Sequence, residues 1–158
     1  MASQRETFRR AYRIVSNTFR PFDGAGAHRW GSRWVNGGRW VVHAAETYAL
    51  AVLENLVHWQ TSTLPPTLVC VEITIPDDVA QAHIARGDVP GWQDDDLIAS
   101  RAVGDAWYDR SQSAVLWVPS VVSPFESNVL FNQRHPDIAR IIVGAAVPAH
   151  LDSRLTRR

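Results

Sequence analysis

The segment Leu68 to Ile75 sets Val69, Val71, Ile73 and Ile75 on one side and Cys70, Glu72 and Thr74 on the other. Strict alternation of this kind marks a β-strand with one buried face, and such a strand is stable only within a sheet that another layer covers. Shorter strands are expected at Tyr12–Val15, Trp40–Ala44, Ala114–Val118 (stopped by Pro119) and Arg140–Val143. Between them, Thr47 can cap a helix running to about Trp59, with Ala49, Val52, Leu53 and Leu56 as its apolar stripe, and Pro65-Pro66 closing the region. Asp77-Asp78 after Pro76 opens a turn or short helix, and Leu97–Asp109 reads as a further helix with Val103 and Trp107 four apart. Two stretches read as loops: Phe22–Gly38, with five glycines, and the polar Pro124–Asn132. Strands and helices mix without regular βαβ alternation, which argues for an α+β domain over a doubly wound sheet. Neither a G-x-G-x-x-G after a strand nor a G-x-x-x-x-G-K-[ST] occurs, so a Rossmann or P-loop nucleotide site is not expected.

A length of 158 residues fits one domain. Lys plus Arg and Asp plus Glu are 16 each, which gives no electrostatic ground for a general nucleic-acid or membrane-surface partner. Every basic residue is Arg, an excess that codon usage in a GC-rich genome explains better than function does. The single cysteine, Cys70, rules out an intrachain disulfide and, inside an apolar run, reads as an inert buried thiol suited to a reducing compartment. The polar Met1–Arg10 has no signal core, and no stretch approaches the roughly 18–20 apolar residues of a membrane span, so a cytoplasmic location is expected. The histidines at 28, 43, 58, 83, 135 and 150 form no H-x-x-x-H or H-E-x-x-H, and no metal site is expected.

Three segments can carry chemistry. The loop from Gly24 to Trp34 interleaves glycine, arginine (Arg29, Arg33) and tryptophan (Trp30, Trp34), a mix suited to close backbone approach, phosphate binding and ring stacking. Packing of both indoles into the core is the competing reading. Glu54 lies within the apolar Ala49–Trp59, with His58 one helical turn on. It can stabilise a cationic sugar transition state or orient ribose hydroxyls, or be a paired surface couple with His58. Ser120 follows a strand end and precedes the polar Pro124–Asn132, where Asn128 can hydrogen-bond an amide, or the region can be a plain turn. No G-x-S-x-G surrounds Ser120, so it is not a nucleophile elbow.

Taken together and in order, these segments resemble the RES domain, the toxin half of RES–Xre toxin–antitoxin systems. The matching pieces are Tyr12-Arg13-Ile14; the loop Gly24–Val35 with Arg33 at the family's named Arg; Val41-Val42-His43; Leu53-Glu54-Asn55-Leu56-Val57-His58; and Ile73–Asp77. They continue through Pro90-Gly91-Trp92, Gly104–Trp107, Ser113–Ser120 with Ser120 at the named Ser, and Asn128–Pro136. The likeness spans about Arg13 to Arg140. Ser32, Trp30 and Val35 depart from the usual Gly, Tyr and Asn, and His43 stands where many members carry a Tyr.

The resemblance implies a single α+β domain with a mixed or antiparallel central sheet, similar to ADP-ribosyltransferase toxins of the diphtheria-toxin kind. The domain would occupy residues 11–150, with an N-terminal segment 1–10 and a C-terminal tail 151–158. It implies NAD⁺ as co-substrate and no metal. Arg33, Glu54, His58 and Ser120 would be catalytic. Arg13, Arg29, Trp30, Arg33, His43, Ser120 and Asn128 would bind the dinucleotide. Glu54 would stabilise charge as the nicotinamide–ribose bond breaks, with His58 supporting it. Transfer of ADP-ribose to a host protein is the first expectation; transfer to water or phosphate, depleting NAD⁺, is the second. A non-catalytic nucleotide- or RNA-binding module is the reading from another class. The implied partners are a helix-turn-helix antitoxin of the Xre type and a protein acceptor, with no direct nucleic-acid or membrane contact.

Overall fold

A computed structural model describes residues 7–59 and 67–157. The elements are β1 (Phe8–Ser16), α1 (Ala25–Trp30), β2 (Val41–Ala45), α2 (Tyr48–His58), β3 (Leu68–Pro76), β4 (Gln81–His83), α3 (Ile98–Asp109), β5 (Val115–Pro119), β6 (Ser127–Asn132), β7 (Ile142–Val143) and β8 (Val147–Pro148). The strands form one eight-stranded sheet in the order β4-β5-β6-β2-β1-β3-β7, with β8 also on β3. All pairings are antiparallel except β4 with β5. The chain is a single α+β domain.

The alternation along β3 sets the layers. Val71, Ile73 and Ile75 join Val42, Ala44, Val115, Trp117, Val129 and Phe131 in a core on one face, closed by Val79, Ile141 and Phe22. On the other face the helices divide the sheet. α2 covers Ile14, Ala45, Leu68 and Cys70. Trp107 of α3 covers Leu116, Val118 and Leu130 together with Trp34 and Trp92. Trp34 and Trp92 stack at 5.7 Å. The indole N–H groups of Trp92 and Trp107 reach Arg86 O at 3.0 Å and Ser113 Oγ at 2.8 Å, so burying them leaves no polar cost. Gly104 lets α3 sit directly on the backbone of Trp34: a Cβ there would stand 1.7 Å from the Trp34 carbonyl oxygen.

Several expectations change. Pro124–Asn132 is a loop only at Pro124, Phe125 and Glu126; the rest is β6, an inner strand whose Val129, Leu130 and Phe131 are fully buried. Phe22–Gly38 contains α1, one short helix with only Ala27 buried. The apolar run 49–53 fits two helical registers, and packing selects Leu50, Ala51 and Val52, leaving Ala49 and Leu53 exposed. β4 was not foreseen, and Arg140 ends a short 3-10 turn, Pro136–Arg140, ahead of β7. The Pro65-Pro66 stop lies outside the described residues, as do residues 1–6 of the N-terminal segment; Phe8 already opens β1.

Candidate active site

β1 and β2 meet at one residue pair only, Tyr12 opposite Ala45, although β1 pairs with β3 along its whole length and β2 with β6 from Val41 to Ala45. The sheet therefore has a seam, and Arg13 bridges it: its Nη1 donates to the His43 carbonyl at 2.6 Å. Beside the seam lies a cavity of about 750 Å³ lined by α2, the loop 31–34 and the strand ends of β5 and β6. Its polar side chains include Arg13, Arg33, His43, Glu54, His58 and Asn128.

Glu54 reaches the cavity because Thr47 starts α2 where it does. Thr47 accepts from Leu50 N at 3.0 Å and donates to Glu126 Oε1 at 2.6 Å. Ser123 donates to the other oxygen of Glu126 at 2.8 Å, tying the start of α2 to the loop after β5. That loop brings in Ser120, which donates to Glu54 Oε1 at 2.9 Å, and β6 brings in Asn128, which donates to the same oxygen at 2.7 Å. Among the described residues no protein group donates to Oε2, and Glu54 lines the cavity.

Ser120 is fully buried, and its hydroxyl also accepts from Val122 N and Ser123 N, both at 3.1 Å. With its proton on Glu54 and its oxygen engaged by two amides, it is placed to hold the carboxylate and not to attack a substrate. Arg33, which lines the cavity, donates through Nη1 to the carbonyls of Trp92 and Asp94 at 3.2 and 3.3 Å, and among the described residues its other N–H groups meet no protein acceptor. Its own carbonyl takes Ser100 Oγ at 2.6 Å.

Burial lowers the Arg13 pKa from its ordinary value, with the Asp23 charge opposing. A guanidinium nonetheless stays charged. Burial, and next the Arg13 charge, push His43 from 6.5 down to about 4, so its imidazole is neutral at pH 7. Arg13 Nε and His43 Nε2 are buried and have no hydrogen-bond partner among the described residues. Burial pushes the Cys70 thiol up, as befits an inert core cysteine.

Of the residues singled out from the sequence, Arg13, Arg33, His43, Glu54, His58 and Asn128 share the cavity, and Ser120 joins them through Glu54. His58 is exposed at the rim, and among the described residues no hydrogen bond joins it to Glu54. Arg29 and Trp30 are not brought in. α1 buries Ala27 and turns them outward, with Trp30 74% exposed and the Arg29 guanidinium 4.8 Å from its ring. Trp34 packs in the core and shows an edge to the cavity. Among the described residues no group of three or more His, Cys, Asp or Glu is placed to hold a metal ion. Sequence reasoning missed Glu126, whose carboxylate binds Ser123 and also Thr47, 79 positions away in sequence, a link that no local pattern announces.

A mixed sheet with a single pairing at the seam between β1 and β2, and a cavity beside it lined by Glu54, Arg13 and Arg33, sums up the fold and the site. The model of the RES domain matches residues 9–152, and the chain belongs to the RES domain family. The "Prs ADP-ribosylating toxin" of Sphingobium sp. is 39% identical over 139 residues, 85% of this chain and 86% of that protein. A "Toxin Res" of Pseudomonas putida is 36% identical over 143 residues, 88% of this chain and 95% of its own. Among solved structures, the M. tuberculosis MbcT–MbcA toxin–antitoxin complex contains a chain of the same fold. It superposes with a TM-score of 0.73 at 16% identity, over 94% of this chain and 87% of that one.

Proposed function

We propose that this chain is the toxin of a toxin–antitoxin pair, an enzyme that breaks the nicotinamide–ribose bond of NAD⁺ and passes ADP-ribose to a protein acceptor. The observation that carries this is Glu54: one oxygen is held by Ser120 and Asn128, the other meets no donor among the described residues, and the residue lines a cavity with Arg13 and Arg33. As the glycosidic bond breaks, nicotinamide leaves with the bonding electron pair and positive charge grows on the ribose. A carboxylate already fixed in place meets that charge without reorganising. The acceptor's nucleophile then bonds to the same carbon and gives up its proton to the solvent. Arg13 and Arg33 suit the pyrophosphate, since a guanidinium grips phosphate oxygens in a fork. The neutral His43 adds no charge beside a cationic nicotinamide ring. The orphaned Arg13 N–H and His43 nitrogen fit a ligand that both accepts and donates, as carboxamides and ribose hydroxyls do. Ser120 acts through Glu54, and His58, at the rim, is better placed toward the acceptor than toward the carboxylate.

The relative named for ADP-ribosylation supports transfer to protein over loss to water or phosphate. The toxin–antitoxin complex of the same fold supports an antitoxin partner, which we expect to be of the Xre helix-turn-helix type. No helix among the described residues is long and apolar enough to cross a membrane, as fits a toxin acting in the cytoplasm.

NAD⁺ labelled in its adenylate, incubated with wild type or Glu54→Gln in cell lysate, tests the reading. Label on a protein band with wild type and none with the variant is the expected result. Label only in small molecules makes the protein an NAD⁺-depleting enzyme. Intact NAD⁺ after hours removes the enzymatic account.

A further inference from the structure

The carboxylate is only as well placed as the turn that holds it. Ser120 begins that turn, and its hydroxyl ties it together by accepting from Val122 N and Ser123 N while donating to Glu54. The turn itself is weakly packed: Val121, Pro124 and Phe125 are exposed, with Phe125 98% so. One side chain from elsewhere in the chain grips both of its ends. The Arg86 guanidinium donates from Nη2 to the carbonyl of Ser120, and from Nε to the carbonyl of Pro124 at 3.2 Å. Arg86 is itself held. Its guanidinium lies 5.1 Å from the ring centre of the buried Trp92, and its own carbonyl accepts the Trp92 indole N–H at 3.0 Å. Trp92 in turn gives its carbonyl to Arg33 at 3.2 Å. A continuous path therefore runs from one wall of the cavity, through Arg33, Trp92 and Arg86, to the Ser120 hydroxyl and Glu54 on the other.

We infer that Arg86 is a positioning residue for Glu54: by clamping the carbonyls at both ends of the Ser120–Pro124 turn it fixes the Ser120 hydroxyl under the carboxylate. The fork matters more than the charge. Two N–H groups of one rigid plane reach two carbonyls together, which an ammonium on a flexible stem does not reproduce. The role assumes that Glu54 works as described under the proposed function, but the placement of the carboxylate can be measured without any reaction.

The test is a ¹³C titration of the Glu54 side-chain carboxylate, assigned by its loss in Glu54→Gln, in wild type, Arg86→Ala, Arg86→Lys and Ser120→Ala. The other charged or titratable groups lining the cavity are Tyr12, Arg13, Arg33, His43 and His58, and none is altered. Losing a donor to the charged form makes that form costlier. Ser120→Ala should therefore move the titration midpoint up relative to wild type, and Arg86→Ala should move it the same way. The double variant should move no further than Ser120→Ala, because both changes remove one hydrogen bond. Arg86→Lys should fall between wild type and Arg86→Ala, and it decides the matter if Arg86→Ala does not fold. A midpoint unchanged in Arg86→Ala, additive shifts in the double variant, or wild-type behaviour of Arg86→Lys overturns the inference. With NAD⁺, nicotinamide release by Arg86→Ala should fall on the order of 10-fold in kcat with KM unchanged, since a small misplacement of a reacting group is felt in the chemical step. If wild type releases no nicotinamide, the proposed function fails while the titration still decides the role of Arg86.

Discussion

Glu54 gives one oxygen to two protein donors, so its charge and its shape can be separated by substitution. Glu54→Gln retains an oxygen able to accept from Ser120 and Asn128 and removes the charge. Its thermal midpoint should stay near wild type while nicotinamide release falls by roughly 10²–10⁴; comparable losses in both would mean that the carboxylate is structural. His43 offers a second test. Its pKa drops from 6.5 to about 4 in the folded chain, so as pH falls through that window the unfolded chain takes up a proton that the native one refuses. Stability is therefore full above 6.5 and is lost on the way down to about 4, by roughly 3 kcal/mol if no other group compensates. Denaturant midpoints at pH 7.5 and pH 4.5, as the arms of that assay, should lie farther apart in wild type than in His43→Gln. The residues of the site were legible unevenly. Glu54 stood out because a carboxylate within an apolar helix needs a reason, and Ser120 and Asn128 because polar groups follow a strand end. Arg86 and Glu126 carried no such mark, since Arg86 binds backbone carbonyls distant in sequence and Glu126 joins its neighbour Ser123 to the distant Thr47.

Each element answers to a few local contacts. Thr47→Ala removes both the cap of α2 and the donor to Glu126, and should cost about 1–2 kcal/mol in denaturant unfolding. Gly104→Ala places a methyl inside the Trp34 carbonyl, so α3 must lift from the loop that carries Arg33; a loss of about 3 kcal/mol is expected. A variant as stable as wild type would show that α3 is free to slide. β3 and α2 were readable in the sequence because a period of two and a capped apolar run are strong local signals. β6 was not, because its three apolar residues lie between Asn128 and Asn132, and burial of Asn132 is made tolerable by one tertiary and one local partner. Its side chain donates to the Tyr108 carbonyl at 3.4 Å and accepts from Arg134 N at 2.9 Å. α1 was hidden by its glycines, and it is too short for a period to show.

For the whole molecule, the proposed activity predicts a phenotype. Induced expression of wild type should arrest bacterial growth, Glu54→Gln should not, and co-expression of the cognate antitoxin should restore growth; equal arrest by both forms would trace toxicity to something other than the site. The overall class, α+β with one domain, was legible because element types are counted before they are placed. The seam between β1 and β2 was not, because strand order is decided by pairings that no single segment encodes. That seam has a mechanical side. Ser120 and Asn128 belong to the half of the sheet built on β5 and β6, whereas α2, which carries Glu54, is seated mainly on the half built on β1 and β3, with Ala45 of β2 also beneath it. The oxygen these two donors grip thus fastens one half of the molecule to the other, while its twin meets no donor among the described residues. Cohesion and reactivity are lodged in the same carboxylate, and a change that loosens one plate against the other must also blunt the chemistry.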